Sequence, residues 1–153
     1  VRRDPTHQAE WVALVEGDTT QIDYIQQAAT KYGATVVIIL DIIHVLEYLW
    51  KAANALFDPD DANGAQWVAD RIEQLLQGQR TSMVRCLRRT ATVKGLSPKQ
   101  REPIEQCITY LTNHASYLNY PNKDRNISCI LQCTQDPNGL FIKRADQQIS
   151  QSR

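Results

Sequence analysis

The stretch "TVVIILDIIHVLEYLWKAA", residues 35–53, decides the fold. Residues 34–40 are β-branched or aliphatic at almost every position, which is typical of a strand buried on both sides. From His44 onward, apolar residues recur three and four positions apart, which predicts an amphipathic helix that stops at Asp58-Pro59. Asp41 stands where the period changes. The sequence therefore predicts a strand that leads directly into a helix, with a carboxylate and a histidine near the junction.

A second strand and a helix precede this stretch. The short apolar strand "WVALV", residues 11–15, ends at Glu16-Gly17. Asp18 is a suitable N-cap for the next helix, with Gln21 three positions later as in a capping box. Gly33 is placed to end that helix. Two strands joined by a helix in this way predict a right-handed parallel βαβ unit.

Helical periodicity continues through the middle of the chain. It predicts helices at about 64–77 and 80–93, and a further helix that Ser97-Pro98 opens with proline at the first helical position. After Pro121 the pattern is lost, and we expect a loosely ordered segment. The predicted fold class is α/β, with one parallel βαβ unit followed by an all-helical part of about four helices. The predicted divisions are a βαβ part at 1–42, helices at 43–120 and an irregular tail at 121–153.

The composition of the sequence indicates a cellular compartment but does not favour a class of binding partner. The 153 residues carry 17 basic and 17 acidic side chains, so the net charge favours no class of partner. Four cysteines without metal-ligand spacing are typical of reduced thiols, and no basic-then-apolar leader opens the sequence, so we expect a cytoplasmic protein. The longest apolar run is too short to span a bilayer, so we expect no membrane partner.

Two carboxylates are predicted to lie at one edge of the sheet. Glu16 and Asp41 each follow a strand of the same parallel pair, and ligands gather outside the carboxyl ends of such strands. Converging carboxylates could bind a divalent metal through hard oxygen ligands. Alternatively, Asp41 caps the helix that follows and Glu16 is a solvated turn residue. His44 could ligate a metal or accept a proton there, or be a partly buried histidine bonded to a neighbouring carboxylate.

A basic stretch follows in the helical part of the chain. No acidic residue occurs between positions 80 and 101, whereas the preceding segment, 58–73, is mainly acidic. Such a basic face suits nucleic-acid phosphates. The alternative is a solvated helix surface that packs beside its acidic neighbours. The candidate DNA-binding residues are Arg80, Arg85, Arg88, Arg89, Lys94, Lys99 and Arg101.

Three segments carry a resemblance to a known family. They are "RDPTHQAEWVALVEGDTTQ" (3–21), the opening stretch (35–53) and "YLTNHASYLNYP" (110–121). Together they resemble the insertion-sequence transposases of the ISKra type, relatives of the Mutator-like transposases. The resemblance implies a DDE transposase with a ribonuclease-H-like core and a helical insertion. In that family, an Asp, a second Asp and a Glu surround two magnesium ions, which activate water and then a DNA 3′-hydroxyl to cut and rejoin DNA.

The resemblance assigns roles to three residues of this chain. The second acidic position of the family maps onto Glu16, and the family's Asp-x-x-His motif maps onto Asp41 and His44. Under it, Glu16 and Asp41 are the candidate magnesium ligands, and the helices of 43–118 correspond to the insertion.

The sequence also departs from the family at each acidic position. We expect the family's first acidic residue on a strand upstream of this sequence, because nothing before Trp11 can supply it, and Glu16 replaces the second Asp. The added methylene moves the carboxylate in a type of site that tolerates about 0.5 Å of misplacement. The Gly-rich segment that precedes the third acidic residue is replaced by "NKDRNISCILQC", residues 122–133. A frameshift or a deletion after Pro121 would explain this change.

These departures predict a fragment of a transposase that is catalytically inactive and holds no magnesium. We expect it to retain weak, non-specific DNA binding. One alternative is a non-catalytic helical module that binds DNA or protein and regulates an intact transposase through an exposed sheet edge, or associates with itself. Another is a small intact metal enzyme built on Glu16, Asp41 and His44.

Overall fold

The computed structural model describes residues 10–120 and 141–144 of the chain. The described residues fall into two compact units, one with the three strands and the first helix, the other with the remaining helices. None of the described helices combines the length and apolar character needed to cross a membrane. The elements are β1 (Glu10–Val15), α1 (Thr19–Tyr32), β2 (Thr35–Leu40), α2 (Ile42–Leu56), α3 (Ala62–Leu76), α4 (Arg80–Val93), α5 (Pro98–Asn113), a 3-10 turn (Ala115–Tyr117) and β3 (Phe141–Arg144).

The first unit is a small sheet with one helix. Strand β1 is central and pairs in parallel with β2 and antiparallel with β3. The predicted parallel βαβ unit is confirmed. Asp18 caps α1, since its carboxylate accepts a hydrogen bond from the Thr20 N–H at 2.8 Å, and Gly33 ends the helix in the left-handed region at φ 62°. The buried side chains of α1 are Ile22 and Ile25.

Strand β2 is less enclosed than its sequence indicates. Only its last two residues, Ile39 and Leu40, are buried, and Val37 keeps 38% of its surface exposed. The predicted burial on both sides is therefore wrong for the first four residues within the described unit. The reason is topological: β2 is at the edge of the sheet, and α1 is the single helix described in that unit.

A strand forms in the segment where the sequence predicts an irregular tail. Residues 141–144 pair with β1, with Phe141 opposite Leu14 and Arg144 opposite Trp11. The four-residue segment is too short for periodicity to distinguish it from a loop. The rest of the predicted irregular tail, 121–153, lies outside the described residues.

The second unit is a ring of four helices. Helix α2 packs against α3 and α5, and α4 packs against the same two helices. All four predicted helices are confirmed, with shifted ends: α3 starts at Ala62 because the Asp61 carboxylate accepts from the Asn63 N–H at 2.9 Å, and α5 gives way to a 3-10 turn. The fully buried core includes Val45, Leu49, Ala52, Leu75, Met83, Leu87, Ile104, Cys107 and Leu111.

The two described cysteines differ in environment. Cys107 lies in the helical core, and burial raises the pKa of its thiol to about 12. Cys86 is exposed on α4, where its sulfur accepts a hydrogen bond from Arg71 Nη1 at 3.3 Å. Because the thiolate is the reactive form, Cys107 should be chemically inert in the folded protein.

We therefore expect iodoacetamide at pH 8 to alkylate Cys86 in the native protein and to leave Cys107 unmodified until denaturant is added. Peptide mass mapping separates the two sites from the other cysteines. Equal modification of Cys86 and Cys107 without denaturant would contradict the packing of α5 in the helical unit.

Candidate functional site

The first candidate site is the end of the parallel strand pair. Val15 lies opposite Leu40 in the register, so Glu16 and Asp41 both follow at the same edge of the sheet. The Asp41 N–H donates to the Val15 carbonyl at 2.8 Å, which extends the pairing to the carboxylate-bearing residue. Glu16 is exposed and Asp41 is half-buried. Gly17, at φ 102°, turns the chain away after Glu16.

Glu16 and Asp41 supply two carboxylates that could serve as metal ligands at this edge. Two carboxylates can hold one magnesium ion when water or substrate phosphate completes its octahedral shell. Within residues 10–120 and 141–144, no group of three or more His, Cys, Asp or Glu side chains is arranged to hold a metal ion. The described residues thus bring together two carboxylate-bearing positions and not the three that a two-metal centre of the DDE type requires.

His44 lies in an aromatic cluster between α2 and α5. Its Nδ1 is 3.4 Å from Glu47 Oε2, and its ring meets the rings of Tyr48 and Tyr110 edge-on, with centroids 5.7 and 5.8 Å away. The contact between His44 and Asp41 stays a prediction. Within the helical unit, the carboxylate next to the His44 ring is that of Glu47, which lies about one helical turn after His44 on α2.

Most of this cluster is not predicted from the sequence. The rings of Tyr48 and Tyr110 stack at 4.1 Å with planes 12° apart. His114 extends the cluster along α5, with its centroid 4.7 Å from that of Tyr110 and its Nδ1 2.8 Å from the Tyr110 carbonyl oxygen. Two His/Tyr pairs spaced four residues apart, His44/Tyr48 and Tyr110/His114, are the signal in the sequence that could have indicated it.

The second candidate site is the exposed face of α4. Arg85, Arg88 and Arg89 are spaced three and four apart, so they project from neighbouring positions of that face. The opposite face is buried against α3 and α5. All three arginines are exposed, and within the described part of the chain none of their guanidinium groups forms an ion pair, hydrogen bond or ring contact. Their guanidinium groups are therefore available to a ligand.

Among the described contacts, the acidic residues of α3 form no ion pair with these three arginines. The Asp70 carboxylate accepts from the Gln66 amide at 2.8 Å, and that of Glu73 accepts from the Gln77 amide at 2.9 Å. Each of these bonds joins exposed side chains four residues apart, the first within α3 and the second between α3 and its C-cap residue Gln77. The alternative of a solvated helix surface beside acidic neighbours also agrees with these contacts, because α3 packs against α4 and the three arginines are exposed.

Two of the seven candidate DNA-binding residues instead hold helix ends. Lys94 Nζ donates to the carbonyl of Leu56, the last residue of α2, at 3.0 Å, and lies 4.9 Å from the centre of the Phe57 ring. Arg101 donates through Nη2 to the Ala91 carbonyl at 3.0 Å and through Nε to the Leu96 carbonyl at 3.2 Å. The Leu56 and Ala91 carbonyls lie in the last turns of α2 and α4 and lack intrahelical partners, so both cations stabilise a helix end, and the Leu96 carbonyl lies in the loop between α4 and α5.

The remaining two basic residues begin helices. Arg80 is the first residue of α4 and Lys99 the second of α5. The N-terminus of a helix carries partial positive charge, so a cation there lowers helix stability slightly. The positive charges of Arg80 and Lys99 therefore do not stabilise the helices in which they lie.

Comparisons with known proteins give no relative for this chain. No protein-family model, no curated protein and no solved structure matches it. The resemblance to transposases therefore rests on the three sequence segments alone.

We expect Lys94→Met to destabilise the protein by about 1 kcal/mol, because it removes the donor to the Leu56 carbonyl. Lys99→Met, an exposed residue without a described contact, is the matched control and should change the stability by less than about 0.5 kcal/mol. Urea denaturation followed by circular dichroism measures both. Equal effects of the two substitutions would contradict the capping role of Lys94.

Proposed function

We propose that this chain is a fragment of a DDE transposase of the ISKra type whose helical unit binds the phosphate backbone of DNA weakly and without sequence preference. The observation that carries the DNA-binding part is the exposed face of α4, with Arg85, Arg88 and Arg89 lacking ion-pair partners among the described residues. Three sequence segments support the family part, together with a parallel βαβ unit that leads into helices as a ribonuclease-H-like core with a helical insertion would.

The chemistry of the α4 face supports backbone contacts over base recognition. Guanidinium groups bind phosphate oxygens through parallel N–H donors. The segment from 78 to 103 contains no aromatic residue that could stack on an unpaired base. Binding would thus draw its free energy mainly from the release of counterions, which makes it depend strongly on salt.

The same proposal holds that the chain does not cut DNA. Glu16 would occupy one position of the acidic triad, in a longer form than the family's Asp. Asp41 would belong to the Asp-x-x-His motif outside the triad. A two-metal mechanism needs carboxylates that hold both ions on either side of the scissile phosphate, and under this proposal Glu16 would be the one triad position among the described residues.

The salt dependence of DNA binding tests the α4 face. Three phosphate contacts predict that the logarithm of the affinity for duplex DNA falls with the logarithm of salt concentration with a slope of about −2.7. The triple substitution of Arg85, Arg88 and Arg89 by Gln should bring the slope close to zero. Fluorescence anisotropy with a labelled duplex measures both.

A matched control distinguishes this face from basic charge in general. The double variant Lys94→Gln, Arg101→Gln removes two positive charges, against three in the triple variant, and removes them from side chains bonded to helix ends. This double variant should keep most of the slope of the unsubstituted protein. If it lost as much of the slope as the triple variant, the assignment of DNA binding to the exposed face of α4 would be wrong.

A nicking assay tests the absence of catalysis. We expect no cleavage of a supercoiled plasmid or a terminal-repeat duplex by the purified chain in magnesium or manganese, because the proposal leaves the acidic triad incomplete. Gel electrophoresis after long incubation gives the readout. Metal-dependent nicking that Glu16→Ala abolishes would overturn this part of the proposal.

A further inference from the structure

The outer edge of β2 is the least protected surface of the sheet unit. Strand β2 hydrogen-bonds to β1 on one side, and the described sheet ends there on the other. Its residues, Thr35–Leu40, include no charged residue, proline or glycine, which are the features that normally keep an edge strand from pairing with another chain. An edge of this kind is a template for a further strand.

The direction of one hydrogen bond shows which groups face outward. The Asp41 N–H donates to Val15 of β1, and the backbone groups of alternate residues along a strand point to opposite edges. Those of Val37 and Ile39 therefore point toward β1, whereas those of Val36 and Ile38 point away from it. Neither Val36 nor Ile38 has a described partner on that outer edge.

From this geometry we infer that β2 pairs antiparallel with β2 of a second copy of this chain, about a two-fold axis through Val37. In that register Val36 of each copy lies opposite Ile38 of the other. Both residues direct their N–H and C=O outward, so the two pairs exchange roughly four hydrogen bonds. Val37 then faces its own counterpart in the closer, non-hydrogen-bonded position, which would cover the part of Val37 that is now exposed.

A second copy fits this edge because the strand is complementary to itself. The three central opposed pairs, Val37 with Val37 and twice Val36 with Ile38, are apolar, Thr35 lies opposite Ile39, and no charge opposes a like charge. The result is an isologous interface that closes on a dimer and leaves no β2 edge open. The contact is small by the standard of stable complexes, so the dimer should dissociate on dilution. It does not depend on the proposed DNA binding, because α4 lies in the other unit.

Charge substitutions at Val37 test the two-fold axis. Sedimentation of the full chain over about a hundredfold range of concentration should show a reversible monomer–dimer equilibrium. Val37→Lys alone and Val37→Glu alone should each be monomeric, because the axis places like charges opposite each other. An equimolar mixture of the two variants should recover a dimer with one copy of each, which a substitution that merely disturbs the fold would not do.

The control is Val93→Lys on α4, where the original valine is 75% exposed, and it should leave the association unchanged. A monomeric wild-type chain at every concentration, undiminished association of Val37→Lys, or a mixture that stays monomeric would each overturn the inference. The α4 variants test DNA binding and the Val37 variants test dimerisation, so a negative result for one proposal is distinguishable from a negative result for the other.

Discussion

The unpaired carbonyl groups at helix ends constrain the whole helical unit. The last carbonyls of an α-helix have no partner within the helix, and each must find a donor or water. At the ends of α2 and α4 the donors are Lys94 and Arg101, which lie beyond α4 and in the first turns of α5. These bonds link residues that are 38 and 10 positions apart. Lys94 and Arg101 therefore stabilise helix ends. Among the described contacts, Arg85, Arg88 and Arg89 donate no hydrogen bond to a helix-end carbonyl.

This division could not be predicted from charge spacing. Along the sequence, Lys94 and Arg101 continue the basic run of Arg85, Arg88 and Arg89 and look equivalent to it. What separates them is the position of the Leu56 and Ala91 carbonyls, which depends on how the helices pack. The local elements were predictable because their signals are local: Asp18 and Gly33 bound α1, and Pro98 starts α5. The ends of β1 and β2 were predictable for the same reason, so the shared edge of Glu16 and Asp41 followed from the strand order.

Other features depended on contacts between distant parts of the chain. β3 was missed because four residues carry too little periodicity, and its pairing with β1 joins positions more than 120 residues apart. The exposure of Val37 was missed because β-branched residues give the same pattern in an edge strand as in a central one when the helical layer is not known. The cluster around His44 needed the alignment of α2 with α5. Each of these features depends on tertiary contacts, which local sequence patterns do not encode.

The stacked rings of Tyr48 and Tyr110 give this molecule a built-in optical probe. The two rings come from α2 and α5 and are held 4.1 Å apart in nearly parallel planes. Aromatic side chains fixed in an asymmetric environment produce near-ultraviolet circular dichroism, which disappears when side-chain packing is lost even if the helices persist. The loosening of α2 from α5 would therefore remove the contribution of this pair to the signal, without a label and separately from the melting of the helices themselves.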